Sequence, residues 1–205
     1  MPERPPTHRY PDNREAILRS ALDLFARKGY AGTAVREIVE AAGATKPVLY
    51  YHFKSKEGLY LEILRQAMER FRADLTVLTR GGGDAETGLM RLCGQLFVLF
   101  RENLQVVRLV HAALVGPPQG GPPFDFKRFH EELVKGMGWW VDEGIRRGEF
   151  RDGDQASMTI AVYGVFSLAV ELELLSGECG IGREGLSAAM NVVFEGMRAG
   201  DSASL

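Results

Sequence analysis

Cysteine is nearly absent from this chain, with Cys93 and Cys179 the only two in 205 residues. They stand far apart without a second Cys or His at ligand spacing, which excludes a disulfide scaffold and a structural zinc site and fits a reducing compartment. Long hydrophobic runs are missing too. The longest uncharged apolar stretch, Ala156 to Val170, falls short of the ~20 residues a bilayer core needs, and the opening Met1-Pro-Glu-Arg-Pro-Pro has no signal-peptide core. Net charge is only −2, with 45% apolar and 25% charged residues. That composition excludes disorder and collagen and describes a globular protein, expected in the cytoplasm.

The small net charge conceals an asymmetry. Ten Lys/Arg stand against seven Asp/Glu through Glu57, and fifteen against twenty beyond it. A modestly basic N-terminal module on an acidic body is the pattern of an anion-binding unit joined to a non-binding one.

Apolar residues recur at helical spacing nearly everywhere, and no segment alternates long enough for a half-buried strand, so the fold class is all-α. A first helix opens at Asp12-Asn13-Arg14-Glu15, buries Ile17, Ala21, Leu24 and Phe25, and stops at Lys28-Gly29. Thr33 caps a second, with Val35, Ile38, Val39 and Ala42 inside and Gly43 at its end. A short third helix runs from about Thr45 to Tyr51, with Pro47 tolerated in its first turn. The fourth begins at Ser55-Lys56-Glu57 and reaches about Thr79, before Gly81-Gly82-Gly83. Further helices are capped by Asp84 (Leu89, Leu92, Cys93, Leu96 and Phe100 inside) and by Asn103. The break Gly116 to Pro123 follows, then a long helix Phe126–Arg147, one opened by Asp154, and a last one over about Arg183 to Arg198. The domain boundary is expected near Gly58, dividing residues 1–57 from 58–205.

Helix two, the Gly43 turn and helix three follow the plan of a helix-turn-helix, whose second helix enters the DNA major groove. Thr45, Lys46, Tyr50, Tyr51, His52, Lys54 and Lys56 bring hydroxyls, ammonium groups and aromatic edges suited to phosphates and base edges, while Val48, Leu49 and Phe53 pack inward. The alternatives are packing for Tyr50 and Tyr51, a cap or core hydrogen bond for His52 and a solvated charge for Lys54. Arg4 and Arg9, in a Pro-rich arm, have the chemistry of a minor-groove arm or of a disordered tail.

The runs Phe25-Ala-Arg-Lys-Gly-Tyr-Ala-Gly-Thr33, Ile38-Val-Glu-Ala-Ala-Gly43 and Leu49-Tyr-Tyr-His-Phe-Lys-Ser-Lys-Glu57 resemble the DNA-binding domain of the tetracycline-repressor (TetR) family of bacterial transcription regulators, over about Arg14 to Leu64. The resemblance implies a homodimer on a palindromic operator, released when a small molecule enters the C-terminal domain. Carried over by position, it implies phosphate contacts for Thr33 and Tyr51, base contacts for Lys46 and Pro47, backbone or base contacts for Tyr50 and His52, and a phosphate anchor at Lys56. Pro47 departs from the usual Gly or Ser and offers apolar contact, as to a thymine methyl. Gly58 departs from the usual Glu or Asp.

Enzyme signatures fail on context. Gly180-Ile-Gly-Arg-Glu-Gly185 matches the dinucleotide pattern, but a helix rather than a strand precedes it. No nucleophile elbow, phosphate-binding loop or paired-histidine zinc motif occurs. No enzyme, cofactor or metal site is expected. The competing function is a regulator of the same fold that answers to no ligand or to another protein.

In the body, the helix from Ala156 to Leu175 is apolar nearly all round and must be covered on more than one side. Its Ala161, Gly164 and Ala169, with Leu186, Ala189, Met190, Val193, Gly196 and Met197 of the last helix, are the expected face for a partner copy. The resemblance implies the same two helices as the dimer interface. Phe71, Phe100, Phe129, Met137, Trp140 and Tyr163, with His111, are the candidate lining of an effector pocket; Arg108 and His111 could read a carboxylate if they point inward.

Overall fold

The computed structural model describes residues 13–79, 81–115, 120–176 and 180–199. Arg4, Arg9, the Asp12 cap, Cys179 and part of the Gly116 to Pro123 break lie outside them.

The described residues form nine helices: α1 (Asn13–Lys28), α2 (Val35–Ala41), α3 (Lys46–Phe53), α4 (Lys56–Leu78), α5 (Ala85–Glu102), α6 (Leu104–Val115), α7 (Lys127–Arg147), α8 (Gln155–Ser176) and α9 (Gly182–Met197). Among these residues the only extended pairing is one isolated bridge between Phe150 and Arg198, so the all-α expectation holds. Several boundaries follow from the local chemistry read in the sequence. Gly29 and Gly43 sit at φ 71° and 61°, the left-handed conformation that ends a helix cheaply only at glycine. Asp84 accepts the Thr87 amide at 2.8 Å and Asp154 the Ser157 amide at 3.0 Å. Two caps differ from expectation. Ala34, not Thr33, is the N-cap of α2, its amide donating to Glu37 Oε2 at 3.0 Å. Asn103 does not cap α6 with its side chain; its amide donates back to the Leu99 carbonyl at 2.8 Å.

Two compact units emerge, Met1–Gln66 with Arg108–Phe124, and Ala67–Val107 with Asp125–Leu205. This division differs from one at Gly58. The first half of α4 buries Leu59, Tyr60, Ile63 and Leu64 in the first unit, where Arg14 pairs with Glu62 and the Phe25 and Tyr60 rings meet edge-to-face at 5.2 Å. The second unit holds the larger core, with Leu89, Leu92, Cys93, Leu96 and Phe97 of α5, Met137, Trp140 and Val141 of α7, Val162 and Phe166 of α8, and Met190 and Phe194 of α9. Burial pushes the Cys93 thiol up to about 12, so it behaves as a small apolar side chain.

The outer face of α9 is offset from the expected one. Leu186, Met190 and Met197 point into their own core, Val193 packs against it, and Val192 stands exposed beside Ala188 and Gly196. On α8 the outward apolar residues are Ile160, Ala161, Gly164, Leu168 and Leu175. Its 21-residue segment Gln155–Leu175, of mean hydropathy 1.7, passes a length-and-composition test for crossing a bilayer, against the shorter run counted from sequence. The opposite side of α8 is nevertheless committed to the protein core, through Met158, Val162, Phe166 and Ala169.

Gly88 sits where any Cβ would collide with the fully buried Trp140 ring. Gly88→Ala is expected to cost about 1–3 kcal/mol, the usual penalty of overpacking a closed core, read as a lower urea midpoint. An unchanged midpoint would show that Trp140 has room to move.

Candidate nucleic-acid interface

Eight residues make α3, and an isolated helix of that length is not stable in water. Two anchors hold it, Leu49 at 0% and Phe53 at 5% exposure, with Val48 half-buried beside them. Everything else faces out. Thr45, Lys46, Pro47, His52 and Lys54 are exposed, as are Tyr50 at 44% and Tyr51 at 75%. These are not core aromatics. Thr45 is the N-cap but makes no side-chain cap bond, which leaves its hydroxyl available, and Pro47 occupies the first turn. The chain leaves α3 through Lys54, which has φ 66° and is the only non-glycine residue with positive φ among those described. That turn folds Lys54 back over its own helix. Its ammonium donates to the Tyr51 carbonyl at 3.1 Å and lies 5.9 Å from the Tyr51 ring, which in turn meets His52 edge-on at 5.1 Å. Lys54 therefore belongs with this patch; its place directly after a short helix was the signal available in sequence.

Thr33 and Lys56 point elsewhere than a surface phosphate contact implies. Thr33 is 2% exposed, and its hydroxyl donates to the carbonyls of Gly29 at 2.8 Å and Leu24 at 3.3 Å. It is turned into the fold and is not a surface phosphate donor. The Lys56 ammonium donates to the carbonyls of Tyr30 at 2.7 Å and Thr33 at 2.8 Å and lies 4.1 Å over the Tyr30 ring. Burial lowers its pKa. Two of its three protons are thus committed to the α1–α2 turn. The turn is bound again through Glu37, held below the usual carboxylate range by the Ala34 amide and then by Lys28 at 2.5 Å.

The candidate effector residues divide. Phe71, Phe100 and Phe129 form one ring cluster, with Phe71 centroids 4.3 Å from Phe129 and 5.5 Å from Phe100, and Phe166 5.8 Å from Phe100. Met137 and Trp140 lie fully buried in the same core. Tyr163 shares a 3.1 Å hydrogen bond with His130 Nδ1. His111 belongs to the other unit. The glycine pattern at 180–185 has a structural explanation. Gly182 donates its amide to the buried Glu173 at 2.8 Å, and a Cβ at Gly180 would strike that carboxylate.

A short, outward-facing second helix after a glycine turn, on a frame joined to a larger helical body, defines a DNA-binding regulator of the helix-turn-helix class. Residues 17–63 match the family of bacterial regulatory proteins known as the tetR family. The repressor KstR2 of Mycolicibacterium smegmatis is 31% identical over 151 residues, 67% of each chain. The regulator RutR of Escherichia coli is 45% identical over 62 residues, which span 30% of this chain and 29% of RutR. In structure, the regulator PfmR of Thermus thermophilus matches with a TM-score of 0.71 at 24% identity, over 87% of this chain and 97% of that one. Bacillus subtilis FadR in complex with stearoyl-CoA matches with a TM-score of 0.63 at 20% identity, over 88% and 95%. The chain belongs to the TetR family of transcriptional regulators.

Lys56→Met should lower the unfolding free energy by about 1.5–3 kcal/mol, the usual worth of hydrogen bonds to a charged group, measured by urea denaturation. A wild-type midpoint would show that the ammonium holds nothing.

Proposed function

We propose that the protein is a cytoplasmic, homodimeric repressor that reads a palindromic operator with α3 and leaves it when a small, mainly apolar ligand enters the helical body. The observation that carries the DNA half is the outward face of α3. Thr45, Lys46, Pro47, Tyr50, Tyr51 and His52 are all exposed on a helix held by two buried anchors. Tyr51 and Lys54 suit phosphates, Lys46 and Pro47 base edges, and Tyr50 and His52 either; Thr33 and Lys56 hold the frame. Selection from random duplexes should yield a two-fold symmetric site. Lys46→Ala should then weaken binding and blunt base preference, and Lys54→Ala should weaken all sequences alike and reduce the salt slope by about one. Unchanged affinity in the double variant would remove α3 from the interface.

The exposed Ile160, Gly164, Leu168 and Val192 on α8 and α9 support dimerisation through these two helices, since a second copy would cover them symmetrically. A Leu168→Arg, Val192→Arg variant should sediment as monomer, because an unpartnered charge in such an interface costs several kcal/mol. A dimer unaffected by both changes would place the interface elsewhere.

The ligand half draws on three supports. The rings of Phe71, Phe100 and Phe129 meet at the α4–α7 seam, the Trp140 indole N–H is buried without an acceptor among the described residues, and FadR, of the same fold, holds stearoyl-CoA. A ligand parting Phe71 from Phe129 would shift the second half of α4, whose first half belongs to the DNA-reading unit. Two reading helices must keep a separation of ~34–36 Å to grip successive major grooves, so a small shift suffices. With stearoyl-CoA as probe, calorimetry should show tighter binding to the free dimer than to the operator complex, by a coupling of ~1–3 kcal/mol. Equal affinities would exclude release by this ligand.

A further inference from the structure

Within the first unit lies a cavity of about 540 Å³ that the proposed function does not use. One wall is the last turn of α1 and the turn after it, from Phe25 to Gly29 with Ala31 and Gly32; the other is Arg108, Leu109 and Ala112 of α6, with Gly120 at the edge. Its size falls within the ~300–1,000 Å³ range of small-molecule sites. The Phe25 and Leu109 side chains, 1% and 3% exposed, give it an apolar floor. A Cβ at Gly32 would run into the Lys28 carbonyl, so this wall stays free of side chain there.

The charge at the mouth has one sign. Arg27, Lys28 and Arg108 line the cavity, and among the described residues no carboxylate does. Arg27 is already bound to Asp23 and Lys28 to Glu37, whereas Arg108, exposed on α6 rather than turned inward, makes no ion pair or hydrogen bond with any described residue. An unmatched guanidinium beside an apolar floor is the recognition chemistry of an anionic head on an apolar body, because its planar fork takes a carboxylate through two parallel N–H donors. We propose that this cavity is a ligand site on the DNA-reading unit itself, for a small carboxylate amphiphile whose head pairs with Arg108 and whose chain lies on Phe25, Leu109 and Ala112.

The place of the site gives it a regulatory consequence, which rests on the DNA-reading role proposed above. Its loop wall leads directly into Tyr30 and Thr33, whose carbonyls Lys56 holds, and then into α2. A ligand here acts on the frame of α3 without passing through the body. His111, one turn from Arg108, is not part of the lining.

The test uses the full-length protein free of DNA, with decanoate as the probe and decanol and decyltrimethylammonium as neutral and cationic counterparts. Decanoate should shift the backbone amides of Gly29, Gly32 and Ala112 saturably in NMR spectra. Arg108→Gln should weaken it by about ten- to a hundredfold, the worth of a hydrogen-bonded charge pair, and Ala112→Phe, which fills the cavity, should abolish it. Equal affinity for decanol, unchanged affinity in Arg108→Gln, or shifts confined to residues 127–147 would overturn the site. Adding a selected duplex then tests regulation. Decanoate should change DNA affinity for the wild type and not for Arg108→Gln, and an unchanged affinity with the site filled would overturn the regulatory role. A protein that binds no duplex but still takes decanoate at Arg108 would sink the DNA reading and leave the site standing.

Discussion

The setting of α3 depends on one ammonium group. Because α3 buries only Leu49 and Phe53, its orientation comes from the frame around it, and Lys56 closes that frame by drawing the Tyr30 and Thr33 carbonyls onto the start of α4. The Tyr30 ring lies between this cation at 4.1 Å and the rings of Tyr60 at 5.1 Å and Phe25 at 5.8 Å. The Thr33 hydroxyl meanwhile satisfies the carbonyls of Leu24 and Gly29 from inside. A partly buried cation is tolerable only when its donors are matched, and here the loop supplies the acceptors. The α1–α2 turn and the head of α4, which directly follows the exit from α3, are thereby joined.

That clasp also marks what sequence reading could reach. Periodicity and local caps were legible because their partners lie within a turn, as Asp84 with Thr87 and Asp154 with Ser157. The exposed face of α3 was legible for the same reason. The placement of Thr33 and Lys56 was not legible, because residue type shows what a side chain can donate, not where it points. The Lys56 acceptors lie 23 and 26 residues away in the chain. The outer face of α9 was misjudged for a different reason. A helix apolar on both sides offers two stripes, and only the packing of α9, with Phe194 and Met190 in the core, against α5 and α8 decides which is inside.

Glu173 gives the same lesson in the body. It is 3% exposed on the most apolar helix of the chain, paired with Arg101 at 3.0 Å and accepting the Gly182 amide at 2.8 Å. A buried carboxylate without such partners would cost several kcal/mol, so the loop into α9 must bring its backbone close, and glycine at 180 and 182 is what permits it. The resemblance of this loop to a nucleotide-binding pattern is a by-product of that packing. It also ties the C-terminal end of α8 into the core, beside the exposed Leu175.

These constraints converge on α4, the helix that contributes to both units. Its first half is pinned by Lys56 and by the Arg14–Glu62 pair, its second by Phe71 against Phe129 and by Arg72 to Glu132 at 2.7 Å. Each half is thus held by contacts within its own unit. A ligand that displaced either half would have to give up those contacts, and by linkage its affinity would change with anything else that displaces the same half. On the functions proposed above, a body ligand that parts Phe71 from Phe129 and an occupant of the Arg108 cavity that acts on the α1–α2 turn reach α3 by different routes, so any effect of one on the other must pass through what each does to DNA binding.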